Sequence, residues 1–360
     1  MKKVFISGCY DIIHGGHVEF FSQARAMGDY LIVCFAGERS LKMHKNRKSS
    51  LPVEHKKRLL EALTMVDEVV VGDDEILGLD FTSHFLRLRP DMLVVTDDDK
   101  YSEQKRALCN QVGAEYVILP KTLDYEKIST TEIIGYIKAP QQISLRVDFG
   151  GGWLDVPKYA REGAYIVNCA VSPLVSLREW KYEIGGGLGG SAAYAMLMGR
   201  NSLQSELDLG VGWQDPAAIK ESGLCVWKSG AHPVLDFKVN GDFLHGKMGL
   251  FYSGKTRKTY ENTNIERDFD LVEKAGRAAR QAVLPGHENL TLLAEAIQMS
   301  YMVQLGEGME DLPDFGQIAK KYCGGGHGGY ALYLFENEAQ RAEFLKLEHT
   351  HEIEPYTAPV

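Results

Sequence analysis

Between a short apolar run, Val4-Phe5-Ile6, and a helical pattern that begins at Val18 lies Gly8-Cys9-Tyr10-Asp11-Ile12-Ile13-His14-Gly15-Gly16-His17. A strand that ends in a glycine-rich turn and feeds a helix leaves backbone N–H groups unpaired at the positive end of the helix dipole, a position prepared for phosphate. Gly15 and Gly16 remove side chains that would hold a nucleotide away. His14 and His17, three residues apart, can point at one anion, donate to its oxygens and, when protonated, neutralise charge on a phosphorus under attack. A zinc site would want a third ligand near by and would give the glycines no purpose. The chemistry indicated is nucleotidyl transfer.

Apolar strand-like runs at Val4–Ser7, Tyr30–Phe35, Glu68–Val71, Met92–Val95 and Tyr116–Leu119 alternate with segments of helical period. After His17, for example, Phe20, Ala24 and Met27 share one face. Regular alternation predicts an α/β doubly wound parallel sheet of the Rossmann-like kind, whose ligands bind at the carboxyl ends of strands, where Gly8 to His17 falls. Lys42, Lys45, Arg47 and Lys48 follow the second strand in a loop from which long cations reach phosphates. Asp97-Asp98-Asp99 closes the fourth strand and either holds Mg²⁺ or faces water. Ile128-Ser129-Thr130-Thr131-Glu132 has hydroxyls at a helix start and an acid in its first turn, a capping arrangement.

These residues resemble the cytidylyltransferase-like nucleotidyltransferases, whose signature is H-x-G-H, and among them the heptose 1-phosphate adenylyltransferases and glycerol-3-phosphate cytidylyltransferases. The resemblance covers nearly all of residues 1–138. It implies that His14, His17 and Lys45 are catalytic and that Gly8, Tyr10, Asp11, Gly16, Ser129, Thr130 and Thr131 bind the nucleotide, ATP or CTP, with Mg²⁺. Lys56 stands where the family usually carries an arginine, keeping the charge and losing the fork.

At 360 residues with 44% hydrophobic composition, the chain is long enough for two packed cores. A net charge of −9 argues against a nucleic-acid surface. Six scattered cysteines without a C-x-x-C pair suit buried thiols in a reducing cytoplasm, and no apolar stretch has transmembrane length. The expectation is a cytoplasmic protein without membrane or nucleic-acid partners.

Lys138-Ala139-Pro140-Gln141-Gln142 lacks hydrophobic period, so residues 139–142 read as a linker between domains 1–138 and 143–345, with 346–360 a C-terminal tail. Beyond it, strand-like segments at Ile143–Phe149, Tyr165–Leu177 and Met248–Tyr252 and helical ones at Phe269–Ala282 and Glu288–Val303 indicate α+β. Two glycine-rich stretches stand out. Arg146-Val147-Asp148-Phe149-Gly150-Gly151-Gly152-Trp153-Leu154-Asp155 ends in a carboxylate able to bind hydroxyls, and Gly185 to Ala193 opens a helix whose amides suit phosphate, with Ser191 able to ligate Mg²⁺.

Together with Gly212-Trp213-Gln214-Asp215, Gly249 to Arg257 and Cys323 to Gly329, these stretches resemble, in order, the motifs of the sugar branch of the GHMP kinases, the fucokinases and heptose 7-phosphate kinases. The resemblance implies that Gly187, Gly189, Gly190 and Ser191 bind nucleotide, Ser191 also metal, that Arg146 and Asp155 bind sugar, and that Asp215 is the base. The span from the first motif to the glycine loop is several tens of residues shorter than in that family, and His327 interrupts the third motif. Glu206 could supply a metal carboxylate, but its match to the family is poor and it reads better as a surface helix residue. The combined expectation is nucleotide-sugar synthesis by a homodimer: a sugar kinase making an anomeric phosphate and a nucleotidyltransferase activating it. The alternative is a nucleotidyltransferase alone, with an inactive kinase-like domain used for substrate binding or oligomerisation.

Overall fold

The computed structural model describes residues 1–45, 48–121, 127–255 and 266–359, the side chains of 44 and 45 excepted. The chain divides into two compact units, Met1–Ile137 and Lys138–Val360.

The first unit runs β1 (Lys3–Gly8), α1 (Gly15–Arg25), β2 (Tyr30–Phe35), α2 (Glu38–Lys45), α3 (Val53–Glu61) and β3 (Glu68–Val71). It continues with α4 (Thr82–Leu88), β4 (Met92–Thr96), α5 (Ser102–Val112), β5 (Glu115–Leu119) and α6 (Thr130–Lys138). The strands form one parallel sheet in the order β3-β2-β1-β4-β5. Val4, Phe5 and Ile6 of the central strand are wholly buried because helices cover both faces, which is why β1 is a continuous apolar run. One face packs Val4, Ile6, Leu31, Val33 and Phe21, and the other packs Phe5, Ile32, Leu93, Phe81 and Phe85. Chain order reverses between β1 and β4, so the crevice beyond their carboxyl ends is where such a sheet takes a ligand.

The second unit begins with β6 (Ile143–Gly150), β7 (Tyr165–Val175), α7 (Gly190–Leu197), α8 (Ser202–Asp208), α9 (Gln214–Glu221), β8 (Leu224–Lys228) and β9 (Val234–Val239). Then come β10 (Met248–Tyr252), α10 (Phe269–Ala282), α11 (Leu290–Gly306), β11 (Ala319–Tyr322), β12 (Tyr330–Leu334), α12 (Glu338–Phe344), β13 (Thr350–Glu352) and β14 (Glu354–Pro355). Two antiparallel sheets, β11-β12-β10-β13 and β14-β7-β8-β9 with β6 on β7, share a core with α10 and α11. This is an α+β architecture, as its irregular alternation suggested. Residues 346–360 are not a tail: β13 pairs with β10, β14 pairs with β7, and Ile353 is buried in the core. The pairing partners lie about a hundred residues or more upstream, so nothing local marks these strands.

Candidate functional site

In the first unit the carboxyl end of β1, the start of α1 and the start of α6 surround a cavity of about 920 Å³. Gly8, Tyr10, His14, Gly16, His17, Ser129 and Thr130 all line it. The turn is built by close approach: a Cβ on Gly8 would lie 2.7 Å from the Tyr10 ring, and Tyr10 itself takes φ 40°. Tyr10 is buried, with its ring edge-on to His17 at 5.2 Å and to Phe21 at 4.9 Å. It therefore props His17 from behind. His14 caps α1 in an extended conformation, its carbonyl accepting from His17 N and Val18 N at 2.9 and 3.2 Å.

The His14 and His17 rings stack with centroids 3.8 Å apart, and the Nδ1 atom of each is buried without a hydrogen-bond partner among the described residues. Burial lowers the His14 pKa; burial and then the adjacent His14 push His17 down to about 4. Both imidazoles are thus neutral at neutral pH before a ligand arrives. The cations expected from the sequence form only if an anion enters and reverses the balance.

At the other wall, Ser129 N donates to Glu132 Oε2 at 2.7 Å and Glu132 N donates to Ser129 Oγ at 3.2 Å, a complete capping box that holds the start of α6 open. Thr130 Oγ1 donates to Ile12 O at 3.4 Å, tying this helix start to the histidine turn. Thr131 is exposed and does not line the cavity.

The expected nucleotide contact of Asp11 is corrected. Asp11 is wholly buried away from the cavity lining, where its carboxylate accepts from Ser49 Oγ (2.9 Å), Ser50 N (2.8 Å) and Ser50 Oγ (2.8 Å). Lys56, 1% exposed, lies 3.7 Å from that carboxylate and over the Phe35 ring. The two fasten the 49–56 segment beneath the turn instead of meeting a nucleotide. The Lys45 side chain and Arg47 lie outside the described residues. Asp98 and Asp99 do line the cavity, but Lys121 and Lys105 take their carboxylates at 2.5 and 2.8 Å. No group of three His, Cys, Asp or Glu able to hold a metal occurs among the described residues. Mg²⁺ carried by a nucleotide needs only one or two protein carboxylates beside the phosphates, and the steps assigned to this chain use its own donors.

The second unit has a smaller cavity, about 300 Å³, lined by Arg146, Trp153, Asp155, Gly187, Gly189, Gly190, Ser191, Glu206, Gln214 and Asp215. Motifs some seventy residues apart meet here because β6, the start of α7 and the start of α9 converge. Arg146 is buried and donates through Nε to Asp215 Oδ1 at 2.7 Å, through Nη2 to the same oxygen, and through Nη1 to Gly187 O at 3.0 Å. It clamps Asp215 and the glycine loop. Asp148 accepts from Lys321 Nζ, Gly324 N and Arg146 Nη1. Burial pushes the Asp148 carboxyl up, but Lys321 and Arg146 outweigh it and hold it below the usual range.

Asp155 is buried and takes Gln214 N at 3.1 Å, Gln214 Nε2 at 3.0 Å and Trp153 N at 3.0 Å. Burial raises its pKa to about 6. Glu206 is not a surface residue: it is 7% exposed, and burial, then Asp215, raise it to about 8. Its sequence signal was the spacing from Ser202 and Leu203, which puts it on the inward face of α8. His327 takes φ 61° in the third glycine stretch, its Nε2 3.9 Å from Glu307. Arg257 lies outside the described residues.

Residues 5–135 match the cytidylyltransferase-like family model. The FAD synthase of Ferroglobus placidus is 36% identical over 137 residues, 37% of this chain and 86% of that protein. A lipopolysaccharide core biosynthesis protein of Thermoplasma volcanium is similar in structure over 35% of this chain and 99% of its own, with TM-score 0.30 and 24% identity. The mevalonate kinase of L. major is similar over 57% of this chain and 90% of its own, with TM-score 0.41 and 15% identity. The cavity between β1, α1 and α6 is therefore built on a family scaffold, and through its first unit the chain belongs to the cytidylyltransferase-like family.

Proposed function

We propose that the first unit transfers a nucleotidyl group from an NTP to a sugar 1-phosphate, giving an NDP-sugar and pyrophosphate. The observation that carries the transfer is the stacked His14–His17 pair at the start of α1, in one cavity with the Ser129–Thr130 start of α6. A phosphate oxygen of the acceptor attacks the α-phosphorus, and the bond from that phosphorus to the bridging oxygen of the β-phosphate breaks. His14 and His17 donate to the α-phosphate as its charge grows, and the N–H groups at the start of α6 receive the leaving pyrophosphate. No covalent intermediate on the protein is needed, since positioning and charge stabilisation suffice.

The second unit would supply the acceptor. Motif order, together with the meeting of Arg146, Ser191, Glu206 and Asp215 in one polar cavity, supports a GHMP-type phosphorylation of a sugar or sugar phosphate, Asp215 taking the hydroxyl proton. Dimerisation and a cytoplasmic setting belong to the same proposal. Among the described residues no helix is long and apolar enough to cross a membrane.

The name of the archaeal relatives, FAD synthase, favours a second reading in which the acceptor is flavin mononucleotide. Their similarity covers 37% of this chain, so it bears on the first unit alone. Pyrophosphate release from each of four NTPs with sugar 1-phosphates and with flavin mononucleotide decides between them. Release with a sugar 1-phosphate supports the main reading, and release with the flavin alone overturns it.

A further inference from the structure

Gln214 opens α9 in the second unit, between Trp213, which is wholly buried with its Nε1 donating to Gly230 O at 2.8 Å, and Pro216. Its own side chain is 8% exposed and lines the cavity with Asp155, Trp153 and Asp215. The amide orientation follows from chemistry. Asp155 accepts Gln214 N and Trp153 N, and an ionised carboxylate only accepts, so the side-chain atom 3.0 Å from Asp155 Oδ1 must be the donating Nε2. The approach is so close that a Cβ on Gly212 would fall 1.6 Å from Asp155 Oδ2, and only glycine admits it. The other amide atom, Oε1, is left buried with no hydrogen-bond partner among the described residues. Folded proteins pair nearly all such atoms, so an acceptor held fixed and unpaired on a residue that lines a cavity marks the place of a ligand donor.

Asp155, by contrast, already accepts three donors from its own chain, two on Oδ1 and one on Oδ2. The Gln214 amide is thereby held in one orientation, with Oε1 as the acceptor that has no donor of its own among the described residues. Trp153 forms an apolar side of the same cavity: it takes φ 79°, and the Arg267 guanidinium stacks 4.0 Å from its ring centroid while pairing with Glu307 at 2.6 and 3.0 Å. A small cavity with one propped aromatic ring and several fixed hydrogen-bonding groups suits a ring that is apolar on its C–H face and hydroxylated at its edge.

We infer that Gln214 Oε1 accepts a hydrogen bond from one hydroxyl of an aldose bound against Trp153, and that Asp155 is a positioning residue that fixes the Gln214 amide. This rests on the sugar-handling reading of the second unit and adds the residue that reads the sugar.

The test titrates the full-length protein calorimetrically with L-fucose, D-arabinose and D-glycero-D-manno-heptose, then with the monodeoxy analogues of whichever aldose binds. In the wild-type protein one deoxy analogue should bind on the order of tenfold more weakly, the one that leaves Oε1 without its donor. Gln214→Met, similar in length and without polar atoms, should bind the parent aldose about tenfold more weakly and no longer distinguish that analogue, a non-additive cycle. The deoxy series on the unaltered protein stands even if Gln214→Met folds poorly. Equal binding of the parent by Gln214→Met, or additivity at every hydroxyl, overturns the inference and leaves the sugar reading intact. No titration with any of the three aldoses, while the first unit still releases pyrophosphate, removes both.

Discussion

His14 and His17 stack 3.8 Å apart at 28° between ring planes, each with a buried Nδ1 that has no partner among the described residues. Two neutral rings at that distance become one cationic site only when an anion compensates them, so ligand binding and protonation are coupled.

The first prediction follows from their place in the cavity. His14→Ala and His17→Ala should each lower nucleotidyl transfer by at least about a hundredfold, the usual loss when one donor to a developing charge is removed. Pyrophosphate release checks it, with circular dichroism to show the fold intact. Near-normal turnover by either variant would sink the assignment.

The second concerns protons. His17 titrates near 4 in the ligand-free fold against 6.5 in the unfolded chain. Between those values the unfolded chain binds the extra proton, so His17 takes stability away as pH falls through the window from 6.5 to 4. A bound triphosphate reverses this by favouring the imidazolium, so NTP affinity should rise as pH falls from 8 to 6, with proton uptake. Calorimetry in buffers of different ionisation enthalpy measures the uptake; zero uptake at pH 6 would contradict the coupling.

The capping box separates two roles at the start of α6. Glu132→Ala removes the acceptor for Ser129 N and should lower the melting temperature with little change in NTP affinity. Thr130→Val should raise the Kd for NTP with a near-normal melting temperature. The same effect from both variants would leave the element a cap and nothing more.

Arg146 holds the second unit's cavity together through Asp148, Asp215 and Gly187. Arg146→Met leaves Asp215 without its cation and Asp148 with Lys321 alone, and should cost about 3–5 kcal/mol. Calorimetry should show one transition lowered by on the order of 10 °C. Asp215→Asn, in contrast, should keep the fold and lower any NTP-dependent sugar phosphorylation by about two to four orders of magnitude.

Glu206 gives the last prediction, with the opposite sign to His17. Its pKa is raised from 4.5 to about 8 on folding, so from pH 4.5 upward the unfolded chain releases a proton that the folded chain keeps. Stability therefore falls as pH rises through that window, and Glu206→Gln, neutral throughout, escapes the loss. Its melting temperature should exceed the wild-type value by a few degrees more at pH 8.5 than at pH 5. A constant difference across that range would contradict the burial assigned to Glu206.

The glycine-histidine turn, the alternating β and α segments and the two later glycine-rich stretches were legible in the sequence because their causes are local. Backbone conformation, periodicity and helix-start chemistry act over a few residues. So the parallel sheet, the position of His14 and His17 at the end of β1 and the α+β character of the second unit could be read directly. Tertiary structure decided what depends on distant partners. Asp11 looked like part of the phosphate turn but faces Ser49, Ser50 and Lys56. Asp155 looked like a free carboxylate in a glycine-rich stretch but already accepts from Gln214 and Trp153. Glu206 looked like surface, yet it is buried beside Asp155 and Asp215 and holds its proton to about pH 8. Residues 350–355 looked like a tail but complete two sheets. In each case a side chain or strand is assigned by which group far along the chain offers the complementary hydrogen bond or apolar surface. Sequence spacing does not record that complementarity, because only the packed fold brings the groups within bonding distance.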